Sequence, residues 1–183
     1  MFQTGTKELF QKYMNRVLIE TGSFLGDGIQ AALDAGFKEV YSIELDPTLF
    51  NHCVDRFAGQ NNVHLIPGDS VLVMDNLLSK INEPVTFWLD GHNSGTDMET
   101  GIITTFGIYE RPVMQELIAI QKHYIKTHTL MIDDMRLWTI EYNGYDEKTI
   151  IEKCLEINPL YRFTYEDGYI PNDILIAWLQ EMD

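Results

Sequence analysis

Short apolar runs alternate along the chain with longer stretches in which apolar residues recur every three or four positions. The apolar runs predict five strands, at 17–19, 39–45, 63–66, 85–89 and 129–132. The periodic stretches between them predict helices. Strand and helix that alternate in this way indicate a parallel sheet with helices on both faces.

Several of the predicted helices carry start and stop signals. Gly36 directly follows the helix predicted at 26–35, and glycine is a common helix stop. Asp46 and Pro47 begin the next helix, with the aspartate as N-cap and the proline in the first turn. The predicted helices occupy 6–15, 26–35, 46–57, 69–81, 109–124 and 146–157.

The last two apolar runs, at 161–165 and 174–178, are joined by a turn and predict an antiparallel pair of strands. We therefore expect an α/β fold, a Rossmann-like doubly wound sheet of seven strands, mostly parallel with a C-terminal antiparallel hairpin. The 183 residues suit one domain, so we expect residues 1–183 to form it. In such sheets ligands bind at the carboxyl ends of the strands, near the topological switch point.

The first strand leads into a glycine-rich turn, ETGSFLGDG at 20–28. Glycines at such a turn let a ligand approach the backbone closely. The spacing differs from the G-x-G-x-x-G of dinucleotide-binding folds. The acid Glu20 would repel a pyrophosphate but suits a ligand that carries an ammonium group. A plain strand-to-helix turn is the alternative interpretation.

Acids also follow the second and third strands. Glu44 lies 24 residues after Glu20, where an acid is placed to hold a ribose diol. Asp46 close by fits a helix N-cap. Asp69 and Ser70 follow the third strand and could reach the edge of an adenine ring, although one of them equally fits an N-cap.

The runs ETGSFLGDG, IELD, GDS and WLD together resemble the class I S-adenosylmethionine-dependent methyltransferases, over roughly residues 17–180. The resemblance implies that the acid and the glycine turn hold the methionine end of the cofactor and that the second-strand acid holds its ribose. The cofactor-binding residues implied are Glu20, Thr21, Gly22, Ser23, Gly26, Glu44, Asp69, Ser70 and Asp90.

Three carboxylates follow the fourth and fifth strands, which we expect to be neighbours. They are Asp90, Asp133 and Asp134. Carboxylates that are close together repel one another unless a cation or a proton intervenes. Oxygen ligands of this kind suit Mg²⁺, which would lower the pKa of a coordinated hydroxyl. In the alternative interpretation, Asp133 or Asp134 only caps the following loop.

These acids resemble the pattern of metal-dependent O-methyltransferases of the catechol, macrolide-sugar and aminocoumarin-sugar types. The resemblance implies that Asp90, Asp133 and Asp134 hold the metal, and WLDGHNSG at 88–95 is closest to the sugar-type enzymes. His92 follows Asp90 by two residues, and these two are the candidate catalytic residues. His92 is a candidate proton acceptor, since histidine titrates near neutral pH, and an acidic neighbour could act as the base instead. A solvated or hydrogen-bonding role for His92 is the alternative.

Charge and composition disfavour several classes of protein. The 13 basic and 28 acidic residues give a net charge of −15, which argues against a nucleic-acid partner and against an anionic membrane surface. Two cysteines are too few for a disulfide scaffold or a zinc cluster. No apolar run approaches the ~18 residues of a membrane span. We expect a cytoplasmic protein.

The sequence thus predicts an S-adenosylmethionine-dependent O-methyltransferase, assisted by Mg²⁺, that acts on a hydroxyl of a sugar or similar polyol. Its expected partner is a small-molecule or glycan acceptor, with a homo-oligomer or a longer glycan-building protein left open. The alternatives are a metal-free O- or N-methyltransferase, a NAD-dependent oxidoreductase and a non-catalytic cofactor-binding domain.

Overall fold

The computed structural model describes residues 5–91, 101, 105 and 107–180. Its strands form one sheet in the order β3-β2-β1-β4-β5-β7-β6. The strands are β1 (Val17–Thr21), β2 (Glu39–Glu44), β3 (Val63–Pro67), β4 (Val85–Leu89), β5 (Thr129–Ile132), β6 (Arg162–Glu166) and β7 (Ile174–Trp178). The first five pair in parallel, and β7 pairs antiparallel with both β5 and β6. The predicted fold class is confirmed.

One helix precedes β1, and the others lie between successive strands from β1 to β6. The helices are α1 (Lys7–Lys12), α2 (Asp27–Ala35), α3 (Pro47–Arg56), α4 (Ser70–Leu78), α5 (Val113–Lys122), α6 (Ile140–Asn143) and α7 (Glu147–Ile157). Residues on successive strand positions belong to two separate apolar cores, because side chains alternate between the faces of a sheet. Ile19 and Phe87 belong to one core, and Leu18 and Trp88 belong to the other.

The predicted helix at 109–124 is too long at its amino end, since α5 begins only at Val113. Pro112 explains the difference. A proline disfavours helical geometry in the residue before it, so the preceding turn cannot continue into the helix. A short 3-10 turn at Met135–Leu137 and the helix α6 were not predicted, and both lie between β5 and α7.

Strand β1 lies between β2 and β4 in the sheet. The chain continues from β1 towards β2 but from β4 towards β5, so the two connections leave in opposite directions at the carboxyl ends of β1 and β4. At this switch point the backbones nearly touch. A Cβ atom added to Gly22 would lie 2.7 Å from the carbonyl oxygen of Asp90. A glycine at the end of β1 is therefore a condition for the two strands to end side by side.

A buried pair of histidines lies at the opposite end of the strands, where β4 and β5 begin. His128 Nδ1 accepts the backbone N–H of Val85 (3.1 Å), so its proton is on Nε2. That proton is donated to Nδ1 of His123 (3.0 Å), which in turn donates from Nε2 to the carbonyl oxygen of Ile81 (3.1 Å). This chain of bonds requires both imidazoles to be neutral. Burial is the main cause that lowers the pKa of His128 to about 4, and the neighbouring His123 is the second cause.

We expect this pair to make the protein sensitive to acid. As pH falls from the ordinary histidine pKa of 6.5 towards 4, the unfolded chain binds a proton that the native His128 does not accept. The wild type should therefore lose about 3 kcal/mol of unfolding free energy relative to His128→Gln over this range. Urea unfolding at a series of pH values measures the difference. The control is His52→Gln, at an exposed position on α3; parallel curves for wild type and His128→Gln would contradict the prediction.

Candidate functional site

The glycine-rich turn after β1 contains three residues with left-handed backbone conformation. They are Gly22 (φ 84°), Phe24 (φ 46°) and Gly26 (φ 88°). At Gly26 a Cβ atom would lie only 2.6 Å from the ring of Phe57, so packing as well as backbone geometry requires glycine there. The turn thus has its tight shape from two glycines and one strained phenylalanine.

Glu44 at the end of β2 holds this turn. Its two carboxylate oxygens accept the backbone N–H groups of Phe24 and Asp46, both at 2.8 Å. The side chain is buried, and burial raises its pKa although the backbone hydrogen bonds act in the opposite direction. The predicted ribose-binding acid therefore lies beside the glycine turn, where it also stabilises the strained residue.

Glu20 is buried and is hydrogen-bonded within the fold. Its Oε2 accepts the hydroxyl of Ser42, which in turn accepts the hydroxyl of Ser23. Its Oε1 packs against Gly28 at the start of α2, 1.9 Å from the position a Cβ atom would occupy. Burial raises the pKa of Glu20 to about 8. This acid and Ser23 therefore form a buried hydrogen-bonded chain inside the fold.

The side chains of the residues after β3 also form hydrogen bonds. Asp69 caps α4 by accepting the N–H of Val71 (2.9 Å), and its second oxygen accepts the N–H of Ile108 (2.8 Å). Ser70 donates its hydroxyl to Glu116 Oε1 (2.6 Å). Asp69 and Ser70, both predicted from the sequence, thus lie at the same end of the sheet as the glycine turn. Asp69 connects α4 to Ile108, and Ser70 connects it to α5.

Glu116 is a site residue that the sequence analysis missed. It comes from the first turn of α5 and is 1% exposed. Its Oε1 accepts the hydroxyl of Ser70 and lies near the hydroxyl of Thr21, while Oε2 has no hydrogen-bond partner in the described part of the chain. Burial raises its pKa to about 7. Its position in line with the buried Val113 and Ile120 was the signal, since an acid on the apolar side of a helix is uncommon.

Glu116 also lines a small cleft beside the ends of β1 and β4. The other lining residues are Leu89, Asp90, Gly91, Pro112, Val113 and Trp138. The backbone N–H of Asp90 donates to Thr21 Oγ1 (3.3 Å), which fixes the two strand ends together. The cleft is therefore bounded by the end of β4, the start of α5 and Trp138 after β5.

The acids after β5 lie in a different group from the one predicted. Among the described residues, the carboxylates within 4.8 Å of one another are those of Asp133, Asp134 and Asp173, and Asp90 is not in the group. Arg136 forms ion pairs with Asp134 and Asp173. Burial of all three carboxylates makes this positive charge important, because buried carboxylates need compensation. The predicted proton acceptor, His92, lies outside the described residues.

Comparison with known proteins supports the fold. No family model matches the chain. A curated relative named probable ribosomal RNA small subunit methyltransferase A, from Methanococcoides burtonii, is 34% identical over 112 residues. This match covers 56% of the present chain but only 38% of the relative, so the similarity spans well under half of that protein.

Solved structures match nearly the whole chain. An O-methyltransferase from Bacillus cereus in complex with SAH has a TM-score of 0.62 at 12% identity and covers 93% of this chain and 76% of its own. A TehB-like SAM-dependent methyltransferase from Corynebacterium glutamicum has a TM-score of 0.55 at 12% identity, over 97% and 88%. The chain has the class I methyltransferase fold. An rRNA methylase from Streptococcus thermophilus shares this methyltransferase fold, with a TM-score of 0.51 at 14% identity over 95% and 94%.

Within this methyltransferase fold, the described helices include none that is both long and apolar enough to cross a membrane.

The buried acid at Glu20 leads to a test of the site's electrostatics. Its pKa is raised from 4.5 to about 8, so the native state keeps a proton that the unfolded chain releases. The wild type should therefore lose about 3–5 kcal/mol of unfolding free energy relative to Glu20→Gln as pH rises from 4.5 to 8. Chemical denaturation across this range measures it. The control is the exposed Glu8→Gln, and a constant difference between wild type and Glu20→Gln would show that Glu20 ionises normally.

Proposed function

We propose that this protein is an S-adenosylmethionine-dependent methyltransferase that transfers a methyl group to a hydroxyl oxygen. The observation that carries the proposal is the convergence of the left-handed glycine turn with Glu44 and Asp69 at one edge of a sheet with the methyltransferase fold. Acids at the ends of β2 and β3 suit a cofactor that has a sulfonium and an ammonium group but no phosphate.

We assign the two ends of the cofactor to different strands. The ribose diol would lie against Glu44, whose oxygens each accept one N–H group and keep lone pairs for hydroxyl donors. The adenine edge would lie near Asp69 and Ser70, which begin α4. The methionine end would lie over Gly22, where β1 and β4 end side by side.

The hydroxyl acceptor would enter from the side of β4 and β5. Asp90 and Trp138 line the cleft there, and Trp138 donates its indole N–H to the carbonyl oxygen of Asp133 (3.1 Å). Tyr169 is 65% exposed beside Arg136 and offers an aromatic face to a sugar ring. These features support a sugar or similar polyol as the acceptor class.

Methyl transfer requires the protein mainly to align the acceptor oxygen with the methyl group. The bound cofactor supplies a methyl group on a sulfonium, which is already a good leaving group. The strand ends would hold the acceptor oxygen in line with that methyl group and exclude water, and such positioning lowers the barrier strongly. Proton removal from the hydroxyl by Asp90 or His92 stays a prediction from the sequence.

The residues do not fit the predicted magnesium set. Asp90 lies outside the group of neighbouring carboxylates, and Arg136 already places a guanidinium against Asp134 and Asp173. A divalent cation would have to compete with that fixed charge. We therefore derive no step from a metal, and we expect the ion pairs of Arg136 to disfavour the Mg²⁺ site that the sequence predicts.

A second acceptor class, RNA, is favoured by one observation. The curated relative at 34% identity is named as a ribosomal RNA methyltransferase. Against RNA stands the net charge of −15, because binding to phosphates draws mainly on basic residues. Transfer of labelled methyl groups from S-adenosylmethionine to a polyol panel and to total RNA, in parallel, separates the two.

The cofactor assignment predicts that the protein binds S-adenosylhomocysteine (SAH), as measured by titration calorimetry. Glu44→Ala should weaken binding by about 10-fold or more, because it removes a charged acceptor for the ribose diol and releases the strained Phe24. The control is Glu39→Ala, at the opposite end of the same strand. A wild type that binds no SAH would refute the proposed function, and equal affinities for wild type and Glu44→Ala would refute the role of Glu44.

The ion pairs of Arg136 predict that Mg²⁺ gives no saturable heat with the wild-type protein and that a chelator leaves methyl transfer unchanged. Arg136→Ala removes the competing cation from Asp134 and Asp173, so this variant should gain Mg²⁺ binding by calorimetry. A saturable Mg²⁺ heat in the wild type that disappears in Asp133→Asn would instead establish the metal site predicted from the sequence.

A further inference from the structure

The unused oxygen of Glu116 is the feature that the fold alone does not explain. The carboxyl group is 1% exposed, and only one of its two oxygens is hydrogen-bonded within the described residues. A buried acceptor without a donor costs free energy, so each such group in a native protein needs an explanation, such as a functional role or a bound water or ion. Glu116 lines the cleft beside the end of β4 and Trp138, so a ligand in that cleft could supply the donor.

The location of Glu116 indicates which part of a ligand it would meet. Its Oε1 lies 3.3 Å from the position of a Cβ atom on Gly91, and the hydroxyl of Thr21, the last residue of β1, lies 3.2 Å from that same position. The carboxyl group therefore lies directly at the seam where β1 and β4 end, beside the start of the glycine turn. The proposed cofactor would have its methionine end at this seam.

Glu20, the acid predicted for the methionine end, is buried, and burial raises its pKa to about 8, so it is protonated near neutral pH. One of its oxygens accepts the hydroxyl of Ser42, and the other packs on Gly28 at the start of α2. Glu116 reaches the same seam from α5 and keeps an oxygen for a new donor. An ammonium group matches it best, because it offers several N–H donors and a positive charge to a desolvated carboxylate.

We propose that Glu116 binds the ammonium group of the cofactor's methionine moiety through Oε2, with Thr21 and Ser70 orienting the carboxylate through Oε1. This inference rests on the proposed function, since it concerns the same cofactor. It makes Glu116 a determinant of specificity for the amino group of the ligand rather than a general stabiliser of the cleft.

The test compares two probes by titration calorimetry: SAH, and its deamino analogue in which hydrogen replaces the amino group. Glu116→Gln should weaken SAH binding about 10- to 100-fold, the worth of a charge-assisted hydrogen bond. It should leave the affinity for the deamino analogue within about twofold of the wild-type value. The control is Glu152→Gln, at an exposed position on α7, which should change neither affinity.

The wild type alone provides a second measurement that does not depend on a variant's folding. Burial raises the pKa of Glu116, with the nearby Asp69 and Asp90 acting in the same direction and Tyr145 also within electrostatic range. The ammonium needs the ionised carboxylate, so SAH affinity should fall about tenfold per pH unit below pH 7, whereas the affinity for the deamino analogue should change far less.

The outcomes separate the possible failures. Equal losses for both probes in Glu116→Gln would show a structural role and overturn the ammonium contact, as would no loss for either. The same pH dependence for both probes in the wild type would overturn it independently. If the wild type binds neither probe, the proposed function itself fails, and this inference fails with it.

Discussion

The close approach of β1 and β4 is the constraint on which the rest of the site depends. The two strands can end side by side only because Gly22 has no Cβ atom to meet the carbonyl oxygen of Asp90. From this seam the glycine turn leaves in a left-handed conformation, and Glu44 holds it through the N–H of Phe24. Thr21 accepts the N–H of Asp90 at this seam, and Glu116 lies close by. The glycine turn and the two strand ends are therefore positioned by one backbone-to-backbone packing.

Several acids are buried in the interior of the fold, and their charge is compensated in different ways. Glu20 is compensated by hydroxyl donors, and burial keeps it protonated near neutral pH. Asp134 and Asp173 are compensated by the guanidinium of Arg136. Glu116 is compensated at one oxygen only. These three solutions have different chemical consequences, because a neutral acid, a closed ion pair and a half-satisfied carboxyl group attract different ligands.

The stabilising histidine pair and the candidate ligand-binding acids lie at opposite ends of the strands. The neutral pair of His123 and His128 joins the strand starts of β4 and β5 to the ends of α4 and α5. The acids lie at the other end, where the strands finish. Acid therefore weakens the fold at the histidine pair while it protonates carboxyl groups at the candidate site, and the two effects can be separated with single variants.

The sequence by itself determined the layers of the fold, because apolar periodicity and turn residues are local signals. It predicted all seven strands, the antiparallel ending and the acids that follow β1 to β5. It missed the start of α5, where Pro112 breaks a pattern that otherwise continues. Only the tertiary structure decided which way each acid points. Glu20 is hydrogen-bonded to Ser42, Asp173 joins Asp133 and Asp134 from a distant part of the chain, and Glu116 reaches the seam from a helix. The physical reason is that a strand end fixes where a residue lies, whereas hydrogen bonding and burial against non-local partners fix what its side chain can bind.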